Sequence, residues 1–130
     1  MVAVDTNILV RFLVQDDAEQ FQRAKKLLTH HDVYIPDTVM LETEWVLRFA
    51  YGLSPDAILQ GFLNLLGMEN VHVRDAFAVK LALDWFGQQN MDFADAWHLA
   101  LSQHCGRFAT FDDKLIKRAK SKSSCQPFTP

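Results

Sequence analysis

Met1-Val2-Ala3-Val4-Asp5-Thr6-Asn7 is the stretch that decides how the rest of the chain is read. Four apolar residues, Met1–Val4, run without polar alternation and stop on an acid. A strand lacking alternation is one buried on both faces, as in a parallel sheet covered by helices. Working outward, three more short runs of this kind appear: Val33–Ile35, Val71–Val73 and Phe108–Thr110. Helical spacing fills the intervals, over Ile8–Val14, Ala18–Leu28, Thr38–Ala50, Pro55–Leu66, Ala76–Gln89, Phe93–His104 and Lys114–Lys120. Asp37, Ser54 and Asp92 stand where N-caps belong, and Gly52, Gly67, Gly87 and Gly106 where helices end. Strands alternating with helices predict an α/β fold: a helix-rich three-layer domain around a central, mainly parallel sheet of four or five strands.

The 130 residues suit one domain, 1–130, whose last stretch, 121–130, reads as a flexible tail or an edge strand. An apolar share of 49% is that of a chain able to build a core without staples. Cys105 and Cys125 have no CxxC spacing, and no other His or Cys joins His104 beside Cys105 in a zinc pattern. Both are expected to be reduced thiols in the cytoplasm. Asp5 and Arg11 interrupt the apolar start, no basic region precedes it, and no run approaches the roughly 20 residues of a membrane span. A net charge of −3 argues against coating nucleic acid by charge alone, but not against an enzyme acting on it.

Several acids sit where an ordinary fold has little use for them. Asp5 ends a strand run, and open parallel sheets collect ligands at the carboxyl ends of their strands; capping of the following helix by Asp5 or Asn7 is the other reading. On a wheel advancing about 100° per residue, Glu42 lies between Val39 and Val46 on one flank and Trp45 and Thr38 on the other, above Phe49, with Glu44 opposite. A lone carboxylate in that stripe needs a metal or an ion-pair partner such as Arg11. Asp92 reads first as a cap. Asp95 shares a mixed face with His98, Leu99 and Ser102 and is open to either role. Asp112 and Asp113 follow the Phe108–Thr110 run, with the register between them open. Four carboxylates collected together demand a cation, and an all-oxygen shell suits Mg2+ or Mn2+. The aromatic stripe of Trp45 and Phe49, like that of Leu59, Phe62 and Leu66, reads as core or dimer surface.

Val4-Asp5-Thr6-Asn7, Leu41-Glu42, Asp92-Phe93-Ala94-Asp95-Ala96 and Thr110-Phe111-Asp112 together resemble PIN-domain ribonucleases, and in compact length the VapC-type toxins of toxin–antitoxin systems. The resemblance spans nearly the whole chain. It implies a metal-dependent endoribonuclease, often dimeric, held inactive by an antitoxin protein. It makes Asp5, Glu42, Asp95 and Asp112 the catalytic acids, with Asp92 an additional acid, and Thr6 or Asn7 positioning the first. Thr110 belongs to the last motif, and Asp113 competes with Asp112 for its role.

The reaction expected is RNA phosphodiester hydrolysis by metal-activated water, with Asp5 and Asp95 the direct metal ligands and Glu42 and Asp112 holding a second ion or acting as base. Lys114, Lys117 and Arg118, with Lys120 and Lys122, are candidate phosphate contacts beside Asp112, or else a solvated helix face. Arg11, Arg48 and Arg107 are further candidates. The rivals are a phosphoaspartate-type phosphotransfer enzyme, with Asn7 standing where dehalogenase-like phosphatases carry a second Asp, and a non-catalytic PIN-like module binding RNA or protein.

Overall fold

The computed structural model describes residues 1–130, which divide into two compact units, Met1–Arg74 and Asp75–Pro130. In the first unit, β1 (Val2–Ala3) leads to α1 (Thr6–Val14) and α2 (Ala18–His30). Then come β2 (Val33–Tyr34), α3 (Asp37–Phe49), α4 (Pro55–Leu66) and β3 (Val71–His72). The strands pair in parallel in the order β1-β2-β3, with Val2 opposite Val33 and Val33 opposite Val71. Amides beyond the strand ends lengthen the ladder: Val4 N donates to Tyr34 O at 3.1 Å and Ile35 N to His72 O at 2.9 Å. Each crossover carries a helix pair, as parallel neighbours require a long return. Val4, Leu9, Val33, Ile35, Met40, Phe62 and Leu65 are buried.

The second unit holds α5 (Ala76–Gln88), α6 (Phe93–Ala100), β4 (Arg107–Ala109), α7 (Asp113–Ala119) and β5 (Gln126–Phe128). β4 and β5 pair in parallel across α7, with Phe108 opposite Pro127. Its core centres on aromatics: Phe86 of α5 meets Phe93 of α6 edge-on at 5.7 Å, and Phe93 stacks with Trp97 at 6.4 Å.

The α/β fold with parallel strands stands. The single central sheet does not: five strands form one three-stranded and one two-stranded sheet. Runs of two or three residues support only two or three paired positions, so each ladder is short.

Caps explain most helix starts. Ser54 accepts the Ala57 amide ahead of Pro55, and Asp17 and Asp75 do the same for Gln20 and Ala78. Asp37 is not a cap: Pro36 precedes α3 without a side-chain bond, and Asp37 lies in the first turn, paired with Arg74 at 2.8 Å. The helix expected to reach His104 stops at Ala100, where the Ser102 hydroxyl donates back to His98 O and the Ser102 amide tightens onto Leu99 O. Gly87 lies inside α5 and Gly67 ends α4 without a left-handed turn. Gly52 does take a positive φ of 63°, with nothing near its missing Cβ. Gln15 ends α1 in the same region at 60°.

Candidate functional site

Asp92, Asp95 and Asp112 line one cavity of about 210 Å³ in the second unit, together with Met91, Lys114, Leu115 and Arg118. Local sequence puts them there. Asp92 is the N-cap of α6 and accepts the Asp95 amide at 3.3 Å, which fixes Asp95 in the first turn. Asp112 caps α7, its Oδ1 accepting the amides of Lys114 at 2.9 Å and Leu115 at 3.2 Å. Thr110 Oγ1 accepts the Asp112 amide at 3.0 Å and so sets the turn that aims it. Asp113 is exposed and outside the lining, so Asp112 is the acid of the pair that faces the cavity. Capping and site geometry are therefore not rival roles here: the cap bond uses one carboxylate oxygen and orients the other.

Asp95 carries the electrostatic signature of the cavity. Partial burial raises its carboxyl above the ordinary carboxylate range, and the charges of Asp92 and then Asp112 raise it further. His98 acts in the opposite sense, and a hydrogen bond with Asp112 adds to the rise. Like-charged neighbours in a half-buried space are a standing demand for a cation. Of the basic residues expected near Asp112, Lys114 and Arg118 line the cavity. Arg118 also donates to Asn90 O at 2.6 Å, holding the left-handed turn before α6. Lys117 is exposed and outside the lining.

In the first unit, Asp5 follows β1 and caps α1, with Oδ1 accepting the Thr6 amide at 2.7 Å. Its side chain is exposed, while Thr6 is buried with its hydroxyl oxygen unbonded. Asn7 is exposed in the first turn of α1. Glu42 lies on α3, exposed and free of ion pairs; the alternative pairing with Arg11 does not form, since Arg11 pairs with Asp16. The helical-wheel reading of α3 is overturned. Met40, Thr43, Glu44 and Leu47 are buried, whereas Trp45 and Phe49 are 56% and 60% exposed. Glu44 is the inward acid, 2% exposed, and Arg48 meets both its oxygens, at 3.0 and 3.1 Å. Glu42 keeps its candidacy as an exposed, unpaired carboxylate beside the aromatic pair, not as a buried one.

No three His, Cys, Asp or Glu side chains already stand at the spacing of a metal cage. The donor chemistry nonetheless fits a hard divalent ion. Mg2+ needs only one or two carboxylates and keeps several waters, and the cavity offers carboxylates alone, with no thiol or imidazole in its lining. Sequence reasoning missed a second feature, a cavity of about 420 Å³ between α1 and α2 lined by Asn7, Arg11, Gln20 and Arg23 over Ile8, Ala24 and Leu27. Only the spacing of Asn7 and Arg11, one helical turn apart, hinted at it.

The PIN domain family model matches residues 2–121, across both units. No curated protein is matched by the chain. No helix is long and apolar enough to cross a membrane.

Proposed function

The chain belongs to the PIN domain family, a nuclease-type fold, and from that premise we infer that it is a metal-dependent endoribonuclease. One observation supports this most: the cavity where Asp95, raised by burial and by Asp92 and Asp112, sits beside Lys114 and Arg118. Acids that repel one another next to cations suit a site receiving both a divalent ion and a phosphate.

The reaction is hydrolysis of an RNA phosphodiester, in which water adds to phosphorus and the leaving oxygen departs opposite. Asp95 would hold Mg2+ or Mn2+, with Asp92 supporting it through its amide; Asp5 is proposed as a metal ligand from the order of the sequence motifs alone. A bound divalent ion supplies charge against the developing phosphate charge and acidifies water. Asp112, one oxygen fixed by the α7 amides, keeps the other to accept a proton or a water hydrogen. Glu42, exposed and unpaired, serves as a second acceptor. Lys114 and Arg118 draw the phosphate toward the acids despite the net charge of −3.

The compact length and motif order favour a VapC-type toxin, acting in the cytoplasm as a homodimer and restrained by an antitoxin protein. The test incubates the protein with mixed RNA in Mn2+ or Mg2+, with and without EDTA, beside Asp5→Asn and Asp95→Asn. Cleavage lost to EDTA and to both substitutions supports the reading. Cleavage that survives them sinks it. Metal binding without cleavage moves the assignment to phosphotransfer or to a non-catalytic module.

A further inference from the structure

The larger cavity lies in the first unit, along the same helix that Asp5 caps. Asn7 and Arg11 fall four residues apart on one face of α1, about 6 Å along its axis, and both line it. Ile8, Ala24 and Leu27 form an apolar floor, while Asn7, Arg11, Gln20 and Arg23 supply amide and guanidinium groups.

Arg11 is not a loose surface cation. Its Nε donates to Gln20 Oε1 at 2.6 Å, and its Nη1 to Tyr51 Oη at 2.8 Å and Asp16 Oδ1 at 3.2 Å. Tyr51 in turn donates to Asp16 Oδ2 at 3.0 Å. The guanidinium is thus held from the connection between α1 and α2, from the start of α2 and from the connection after α3, and its Nη2 makes no protein hydrogen bond. A planar donor fixed in advance loses little entropy on meeting a phosphate. Arg23 faces the same space with a side chain 76% exposed, and its 3.9 Å contact with Glu19 is too long and too wet to hold it. Asp16 offsets part of Arg11's charge, and Glu19 part of Arg23's. Selection therefore rests on donor geometry above an apolar floor more than on net charge.

We propose that this α1–α2 cavity is a docking subsite for single-stranded RNA, where Arg11, with Arg23, takes a backbone phosphate and the floor of Ile8, Ala24 and Leu27 takes a ribose or base face. The proposal rests on the ribonuclease reading and extends it from the scissile bond to the flanking strand. Asn7 links the two, lining the cavity two residues from Asp5. An acidic protein segment is the other chemistry Arg11 accepts, but continuity with Asp5 favours the nucleic acid being cut.

The experiment measures anisotropy of a fluorescein-labelled oligouridylate in EDTA, across a salt series, for the whole protein and for Arg11→Lys and Arg23→Glu. Arg23→Glu alters an exposed side chain outside the clamp, so it reports even where Arg11→Lys disturbs the fold. Each substitution is expected to weaken binding about three- to tenfold. Arg23→Glu, which removes a positive charge, should also reduce the slope of log affinity against log salt by about 0.7 per lost phosphate contact, whereas Arg11→Lys, which keeps its charge, should leave the slope unchanged. Unchanged affinity and slope in both variants, with metal-dependent cleavage intact in the parent, overturns the subsite alone. A parent that neither binds nor cuts RNA overturns the ribonuclease reading and the subsite with it. Polyglutamate binding that depends on Arg11 and Arg23, with RNA binding indifferent to them, overturns RNA as the occupant.

Discussion

Glu44 on α3 and Asp95 on α6 are both inward-turned carboxylates, and they differ in what surrounds them. Glu44 is almost wholly buried and gripped by Arg48 through both oxygens. Asp95 is only half-buried, has no ion pair, and faces two more acids. The first is a charge the fold has neutralised for its own stability. On the proposed ribonuclease reading, the second is a charge left for a divalent cation to neutralise. Burial by itself therefore does not nominate a functional acid; the neighbours that raise or neutralise its charge have to be read with it.

Substitution should separate the two most sharply. Asp95→Asn is expected to lower metal-dependent cleavage by about 10²–10⁴-fold, measured as initial rate on a labelled RNA, while the metal-free protein stays folded. An active Asp95→Asn enzyme breaks the comparison. Glu44→Gln should do the reverse, lowering unfolding free energy by about 1–3 kcal/mol in a urea titration as the buried charge-assisted contact with Arg48 is lost. Replacing both with apolar residues, Glu44→Leu with Arg48→Met, should recover most of that loss.

Glu42→Gln sharpens the contrast within one helix. An exposed, unpaired side chain should cost under about 0.5 kcal/mol of stability, yet cleavage should fall about 10²-fold. A smaller effect comes from pH. Asp95 is raised in the folded protein, so in the window between the ordinary carboxylate range and its folded pKa the native state binds more protons than the unfolded one. Stability of the metal-free protein should fall as pH rises through that window, and Asp95→Asn should remove this part of the slope. The smallest test concerns the thiols. Burial pushes the Cys125 thiol up, and Cys105 is exposed, so maleimide should label Cys105 in the native protein and Cys125 only on unfolding.

Much of the local structure was legible because its causes are local. The strand runs, the Ser54 cap before Pro55 and the Asp92 cap before Phe93 all follow from the residues themselves. The orientation of α3 was not. Val39, Trp45, Val46 and Phe49 make as apolar a stripe as Met40, Leu47 and their neighbours, and a wheel ranks hydrophobicity without knowing which side meets the core. The larger, aromatic side lies outward, and the side carrying Thr43 and Glu44 lies inward because Arg48, one turn on, neutralises the acid. Asp112 and Asp113 were equally ambiguous, since either can cap a helix.

By itself, then, the sequence determined the alternation of strands and helices, the parallel pairing that long crossovers impose, and the acids that stand at strand ends and helix starts. These depend on neighbours a few residues away. Only the tertiary structure decided that Glu44 rather than Glu42 is the buried acid of α3, that the strands pair as two short sheets, and that Asp92, Asp95 and Asp112 share a cavity with Lys114 and Arg118. Those outcomes depend on which side chains, distant in the chain, come to exclude water from one another, and no local pattern contains that information.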